Sequence, residues 1–397
     1  MRREPATLTA LPPFIRSRKG IAFTTAAAEG RLKLQQCAAC GHVCYPPREA
    51  CPKCWCLELP WKDLPEGGML LAESTLRTSF NAWFQEHLPW RIGTVKLDAG
   101  PVVLAHVHGE VPERSRVRMI ARTDTSGQGV LMALPEQETP NMTDDRQLRT
   151  LTCHPGSRRV LITDGCSEAG QSMAKAFAAA GASSIYLGIV DESERFLGRE
   201  ALEALKGLVF VPLDVNDPLS AGELAARIGS NVDILVNTAR HEGPGSRMDE
   251  QNPATARDEM EINYFGLLRL IQSFAPVLRL RKAENGDGAC AWVNLFSVHA
   301  LSNASAQGTG SASQAAAYSL SQCLRADMAG SGVKVVNVLF GPLDDAANRH
   351  VPPPKVTLEQ LAEGVVEALG QGIEDLVLGP VAEDLVRRYR EDPMVLH

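Results

Sequence analysis

The sequence has no run of about 18 apolar residues, the minimum for a membrane-spanning helix. Its first 20 residues carry arginines and prolines but not the apolar core of a secretory leader. Excess positive charge is missing too: 40 Lys and Arg stand against 47 Asp and Glu, a net charge of −7 that argues against a general nucleic-acid binder. Aromatic residues make up 5% of the chain, and Phe80, Trp83, Phe84 and Trp90 read as a cluster outside the strands. Stacking of single-stranded bases on a strand face is therefore not expected. Ten cysteines are present, but four have metal spacing and the rest are scattered, which fits a reducing cytoplasm better than a disulfide scaffold.

Those four cysteines are the strongest local signal. Cys37-Ala38-Ala39-Cys40, a ten-residue spacer and Cys51-Pro52-Lys53-Cys54 form two Cys-x-x-Cys knuckles, the pattern of a four-thiolate clasp. Four sulfurs fill a tetrahedral shell and leave no position for water or substrate, so zinc there would be structural. Iron in a rubredoxin-like site and a redox dithiol pair are the alternatives. Cys44 and Cys56 are spare. Residues 1–60 hold nine basic and four acidic residues, a net +5 that leaves about −12 for the remainder. Such a segment can meet a ligand's phosphates or simply form a solvated face.

The length calls for at least two domains. Short helical stretches broken by Pro12-Pro13 precede Gly30, and the ribbon spans 31–56. Five short strands follow at 69–75, 91–97, 102–107, 116–120 and 130–134, punctuated by Gly67-Gly68, Pro101 and Pro112. Five strands in series predict a small closed barrel of the OB type, completing an N-terminal unit over 1–135. Residues 136–158 are polar and aperiodic and read as a linker. From 159 to 397 strands alternate with amphipathic helices, the pattern of a doubly wound parallel sheet. Its strands are predicted at 159–163, 184–188, 208–213, 233–237, 291–295 and 333–339, with a seventh at 376–378.

The N-terminal unit resembles the zinc-ribbon plus OB-fold proteins that accompany thiolases and other acyl-CoA enzymes. The matching residues are Gly30-Arg31-Leu32, Cys37-x-x-Cys40-Gly41, Pro46-Pro47-Arg48, Cys51-Pro52-x-Cys54, Trp61, Pro89-x-x-Ile92-Gly93-x-Val95 and Leu97-Asp98-x-Gly100-Pro101, and the likeness covers about 14–135. It implies acyl-CoA binding and docking onto a thiolase-like or aldolase-like partner.

The C-terminal unit resembles short-chain dehydrogenases/reductases over most of 159–380. Where that family has Thr-Gly-x-x-x-Gly-x-Gly, this chain reads Thr163-Asp164-Gly165-Cys166-Ser167-Glu168-Ala169-Gly170. Carboxylates thus replace two glycines whose backbone should approach the cofactor pyrophosphate, and they repel its charge. The family's Asn-Asn-Ala-Gly is Asn237-Thr238-Ala239-Arg240, while Asp214 keeps the acid placed near adenine. Asn263 and Ser297 match the family's Asn and Ser, but Gly310 and Gln314 stand where its Tyr-x-x-x-Lys belongs. The tyrosine moves the proton and the lysine lowers its pKa; glycine offers no proton and glutamine no charge. Tyr318 with Gln322 mimics the spacing two turns later and still lacks a lysine.

These five replacements predict a pseudoenzyme domain with no catalytic and no NAD(P)-binding residues. The resemblance also implies pairing through 261–280 and 311–329, as a homodimer or with an active homologue. His299, Cys166 and Trp292 read as a satisfied histidine, a thiol opposed by nearby carboxylates, and core. The function expected is a non-redox, acyl-CoA-binding accessory subunit in the cytoplasm, with no nucleic-acid or membrane partner. The alternative is an atypical 3-hydroxyacyl-CoA or 3-oxoacyl-CoA oxidoreductase.

Overall fold

The computed structural model describes residues 19–140, 142–191, 193, 195–242, 253–280, 290–302 and 307–392. The Pro12-Pro13 break and the arginines before Lys19 lie outside them. Helix α1 (Gly20–Ala28) is followed by Gly30 at φ 74°, a left-handed turn that glycine adopts without strain. Strands β1 (Lys33–Gln36), β2 (Val43–Cys44) and β3 (Trp61–Asp63) form an antiparallel sheet with β1 in the centre. The third strand lies beyond the predicted ribbon boundary at 56. It is short and polar, and its pairing with Lys33–Gln35 rather than any local pattern makes it a strand.

Strands β4 (Gly67–Leu76), β5 (Trp90–Leu97), β6 (Val102–Val107), β7 (Arg116–Thr123) and β8 (Gly129–Pro135) close a barrel in the order β4-β5-β6-β8-β7. All five coincide with predicted segments, because alternating apolar residues must point to one interior. Leu70, Val95, Val103, Met119 and Leu131 fill that interior in one cluster with Phe23 of α1 and Leu32 and Leu34 of the ribbon. Ribbon and barrel therefore share a core. Between β4 and β5 lies helix α2 (Ala82–His87), whose first turn is capped by Asn81 Oδ1 accepting from the Phe84 amide at 3.3 Å. Trp90 is not outside the strands: it opens β5, 1% exposed, against the indole of Trp83.

The 136–158 segment is not a free tether. Helix α3 (Arg146–Arg149) places Gln147 so that its side-chain amide bonds both the N–H and the carbonyl of Arg91, at 2.8 and 2.9 Å. Leu148 and Leu151 are buried, and the Cys153 amide donates to the Leu369 carbonyl at 2.8 Å. A single amide satisfying a strand's exposed backbone has no signature in polarity or periodicity.

The second unit holds seven parallel strands, β9 (Arg159–Ile162), β10 (Ser184–Ile189), β11 (Leu208–Pro212), β12 (Ile234–Asn237), β13 (Cys290–Ser297), β14 (Val333–Phe340) and β15 (Asp375–Leu378). Their order, β11-β10-β9-β12-β13-β14-β15, reverses direction between β9 and β12, where a doubly wound sheet opens its ligand crevice. Helices α4 (Glu168–Ala179), α5 (Arg199–Glu203), α6 (Ser220–Ile228), α7 (Ala254–Met260), α8 (Leu267–Leu280), α9 (His299–Ser302), α10 (Gly308–Met328), α11 (Leu358–Gln371) and α12 (Pro380–Glu391) complete it. A π-helical turn, Glu261–Gly266, joins α7 to α8. Two apolar clusters, one containing Trp292 and Phe274 and the other Phe177 and Phe340, pack the sheet's strands against these helices.

The two units meet through buried charge. Lys334 Nζ donates to the Thr123 carbonyl at 2.8 Å and to Glu374 Oε1 at 3.1 Å, while the Thr123 hydroxyl donates to the same carboxylate. Burial opposes the Glu374 carboxylate, but Lys334 and Arg325 more than offset it and hold its pKa below the ordinary value. The Glu374 amide reaches Ala28 of α1 at 2.7 Å, and Arg390 pairs with Glu29 at 2.8 Å.

Candidate functional site

In the ribbon, the Sγ atoms of Cys37, Cys40, Cys51 and Cys54 lie within 4.8 Å of one another. Cys37 and Cys54 are 3.5 Å apart, and Cys40 and Cys51 are 3.6 Å apart. A tetrahedral thiolate shell with bonds of about 2.3 Å has edges of about 3.8 Å, so the four sulfurs fit a metal of zinc's size. The knuckles are shaped by backbone turns: the Gly41 amide bonds the Cys37 carbonyl and the Trp55 amide the Cys51 carbonyl, both at 2.9 Å, with Gly41 and Trp55 at positive φ. The Cys40 amide is the first cause that draws the Cys37 thiol down to about 6, which favours a thiolate. Cys44 and Cys56 point elsewhere, donating to the His42 and Glu58 carbonyls.

At the crevice, the chain's own groups occupy the turn after β9. Asp164 Oδ1 accepts from the Cys166 and Ser167 amides at 3.1 and 3.2 Å, so the carboxylate takes donors of a turn that could otherwise face an anion. Ser167 caps α4 by accepting from the Gly170 amide at 3.1 Å. Gly170 cannot change, since a Cβ there would sit 1.8 Å from the Asp164 carbonyl oxygen. Glu168 accepts from the Ala346 amide at 3.1 Å, and Arg240 lies 3.7 Å from Asp345 and over the Phe340 ring. Two of the replaced positions, Glu168 and Arg240, thereby tie the crevice to the end of β14 and the segment that follows it. Asp214 instead accepts from the Asn216 amide at 2.8 Å within its own turn.

Deeper in the crevice, the sequence register holds. Gln314 is buried, and its Oε1 accepts from the Ser297 amide at 3.2 Å. Asn263 bonds both backbone groups of His241 and donates to Ser313 Oγ at 2.9 Å. The structure thus brings Asn263, Ser297 and the 310–314 turn together, with glycine and glutamine where acid–base groups would stand. The Ser297 hydroxyl accepts from the His299 amide, while the imidazole pairs with Ser302 Oγ at 2.8 Å, so Ser297 and His299 form no nucleophile–base pair. Tyr318 packs edge-on against Phe296, its phenol pKa raised first by burial. Trp292 is wholly buried, as expected. A concavity of about 710 Å³ runs between α4 and α11.

Fold and site together define a ribbon–barrel module joined to a doubly wound domain of dinucleotide-binding type. The comparisons with known proteins are specific. Residues 24–58 match the ChsH2 rubredoxin-like zinc ribbon domain, residues 61–122 the ChsH2 C-terminal OB-fold domain, and residues 158–354 the short chain dehydrogenase family. The chain is a fusion of a ChsH2-type zinc-ribbon and OB-fold module with a short-chain dehydrogenase domain.

Among curated relatives, dehydrogenase/reductase SDR family member 7B of Mus musculus is 27% identical over 240 residues, 55% of this chain and 72% of its own. The fatty acyl-CoA reductase of Acinetobacter baylyi is 27% identical over 224 residues, 53% of this chain and 72% of its own. A short chain dehydrogenase from Burkholderia cenocepacia, solved in complex with NADP, superimposes with a TM-score of 0.54 at 27% identity, covering 62% of this chain and 97% of that one. A short-chain dehydrogenase from Streptomyces avermitilis, with a TM-score of 0.52 at 23% identity over 60% of this chain and 94% of its own, shows the fold alone. ChsH2-type domains are associated with acyl-CoA metabolism and its partner enzymes, and a short-chain dehydrogenase domain suggests a reductase. An NADP-bound neighbour runs against the expectation that this chain binds no NAD(P). No helix among the described residues is long and apolar enough to cross a membrane.

Proposed function

We propose that the chain is a non-redox accessory subunit that binds acyl-CoA and docks onto a thiolase-like acyltransferase or aldolase, with its dehydrogenase-type domain serving assembly. Cys37, Cys40, Cys51 and Cys54 would hold one zinc ion, whose filled shell supplies rigidity to the docking module. The observation that carries the non-redox reading is local. Gln314 lies against the Ser297 backbone, with Gly310 one helical turn earlier, so these two positions supply neither a proton-donating phenol nor an ammonium to tune it. Asp164 supports it independently by consuming amides of the phosphate turn. The reading is tested by co-purification from native cells, with the captured enzyme assayed for thiolytic or carbon–carbon cleaving activity in the presence and absence of this subunit. An enzyme equally active without it would count against the proposal.

A second reading, an oxidoreductase acting on 3-oxoacyl-CoA or 3-hydroxyacyl-CoA esters, is favoured by the NADP complex of the Burkholderia cenocepacia neighbour and by the fatty acyl-CoA reductase relative. NADPH-dependent reduction of acetoacetyl-CoA and bulkier oxoacyl-CoA esters by the purified chain would establish it.

A further inference from the structure

A second cavity, of about 110 Å³, lies in the barrel unit, apart from both the clasp and the crevice. Its walls come from α2 (Trp83 and Phe84), β5 (Trp90), β6 (His106), the β7–β8 turn (Thr125) and β8 (Val130). The aromatic rings support one another: Trp83 meets Phe84 and Trp90 edge-on at 5.0 Å and stacks on His87 at 4.2 Å. Trp90 Nε1 donates to His106 Nδ1 at 2.9 Å, which leaves the imidazole proton on Nε2 as a donor. Burial pulls the His106 pKa down to about 4, so the ring is neutral at physiological pH. Thr125 Oγ1, also on this wall, is buried with no hydrogen-bond partner among the described residues. The β7–β8 turn is itself fixed, since the Thr125 carbonyl accepts from the Gly330 amide of the dehydrogenase unit at 2.9 Å.

Size, polarity and charge limit what such a cavity can take. At about 30 Å³ per water in the liquid, 110 Å³ corresponds to roughly four heavy atoms. Aromatic walls favour an apolar group, and the Thr125 hydroxyl on the same lining is a donor for a carbonyl oxygen. The lining also contains Asp124 and no cation, so a free carboxylate would meet a like charge without a counter-ion.

We infer that this cavity receives the short acyl end of a neutral thioester, of two or three carbons, and rejects the corresponding free acid. This rests on the acyl-CoA reading above and gives it a specificity element: the barrel would sort acyl chains by length and charge.

The test uses the intact chain and S-propionyl-N-acetylcysteamine, a thioester without the CoA nucleotide, read by fluorescence of the tryptophans in the wall. Saturable quenching is expected with this ester, none with propionate, and at least tenfold weaker binding of the S-octanoyl ester. Thr125→Val should weaken binding about tenfold, in line with loss of one hydrogen bond. Val130→Phe should abolish it by filling the cavity, with metal content and melting temperature reporting that the fold survives. Equal binding of propionate, quenching that survives in both variants, or no saturable quenching with the propionyl ester would each overturn the inference. Titration of CoA itself separates the two proposals: CoA binding without the ester response removes the acyl pocket alone, and the reverse removes CoA binding alone.

Discussion

In the ribbon, four sulfurs converge within 4.8 Å and face a common centre; in the crevice, the side chains at four replaced positions are bonded to the protein's own groups. Asp164 holds the turn amides, Glu168 holds Ala346, Arg240 reaches Asp345, and Gln314 holds the Ser297 backbone. Both regions keep the fold of the families they match, so backbone alone does not say whether a site is in use. The distinction lies in where donors and acceptors go. A site that still awaits a ligand leaves its groups converging on a shared space. A site that has lost one closes its hydrogen bonds internally, because buried polar groups must be paired.

That contrast can be broken at its strongest point first. Cys37→Ser should reduce bound zinc from about one equivalent to near zero and unfold the ribbon, since structural zinc contributes on the order of 10 kcal/mol to such modules. Metal analysis with near-ultraviolet circular dichroism checks this, and Cys44→Ser should retain the metal. The seam comes next. Lys334→Met leaves the buried Glu374 carboxylate to Arg325 and the Thr123 hydroxyl and should cost about 3 kcal/mol in urea unfolding.

The third prediction concerns pH. Unfolded His106 takes its proton near 6.5, whereas the folded residue does so only near 4. Its neutral burial therefore stabilises the fold fully above 6.5, and this stability is lost as pH falls toward 4, by roughly 3 kcal/mol. Glu374, with a depressed folded pKa, adds a further loss below its ordinary value of 4.5. His106→Gln should flatten the first part of the curve. Smallest of all, Gly310→Tyr with Gln314→Lys should leave oxoacyl-CoA reduction at background, because the phosphate turn remains closed. Measurable turnover in that double variant would show that only the acid–base pair had been lost.

Sequence pattern carried the architecture because barrel strands alternate and the strands of the parallel sheet are short buried apolar runs. Every barrel strand and every strand of the parallel sheet was legible from apolar residues bounded by glycine, proline or polar turns. The clasp was legible because its chemistry is a spacing. What escaped was set by tertiary partners. Trp61–Asp63 is a strand only through Lys33–Gln35, and Gln147 is structural only through Arg91. Lys334 lies in a predicted strand, but nothing local pairs it with Glu374, 40 residues away, across the seam between the two units. The aromatic cluster was visible as a grouping of Trp83, Phe84 and Trp90, but its partner His106 is on another strand and nothing local marks Trp90 as the start of a strand rather than the end of a loop.

The central claim is that the dehydrogenase-type domain has exchanged cofactor chemistry for internal closure. Isothermal titration of the purified, zinc-loaded chain with NADPH, and separately with NADH, tests it most directly. The account predicts no saturable binding of either. A micromolar dissociation constant for NADPH or NADH would contradict it.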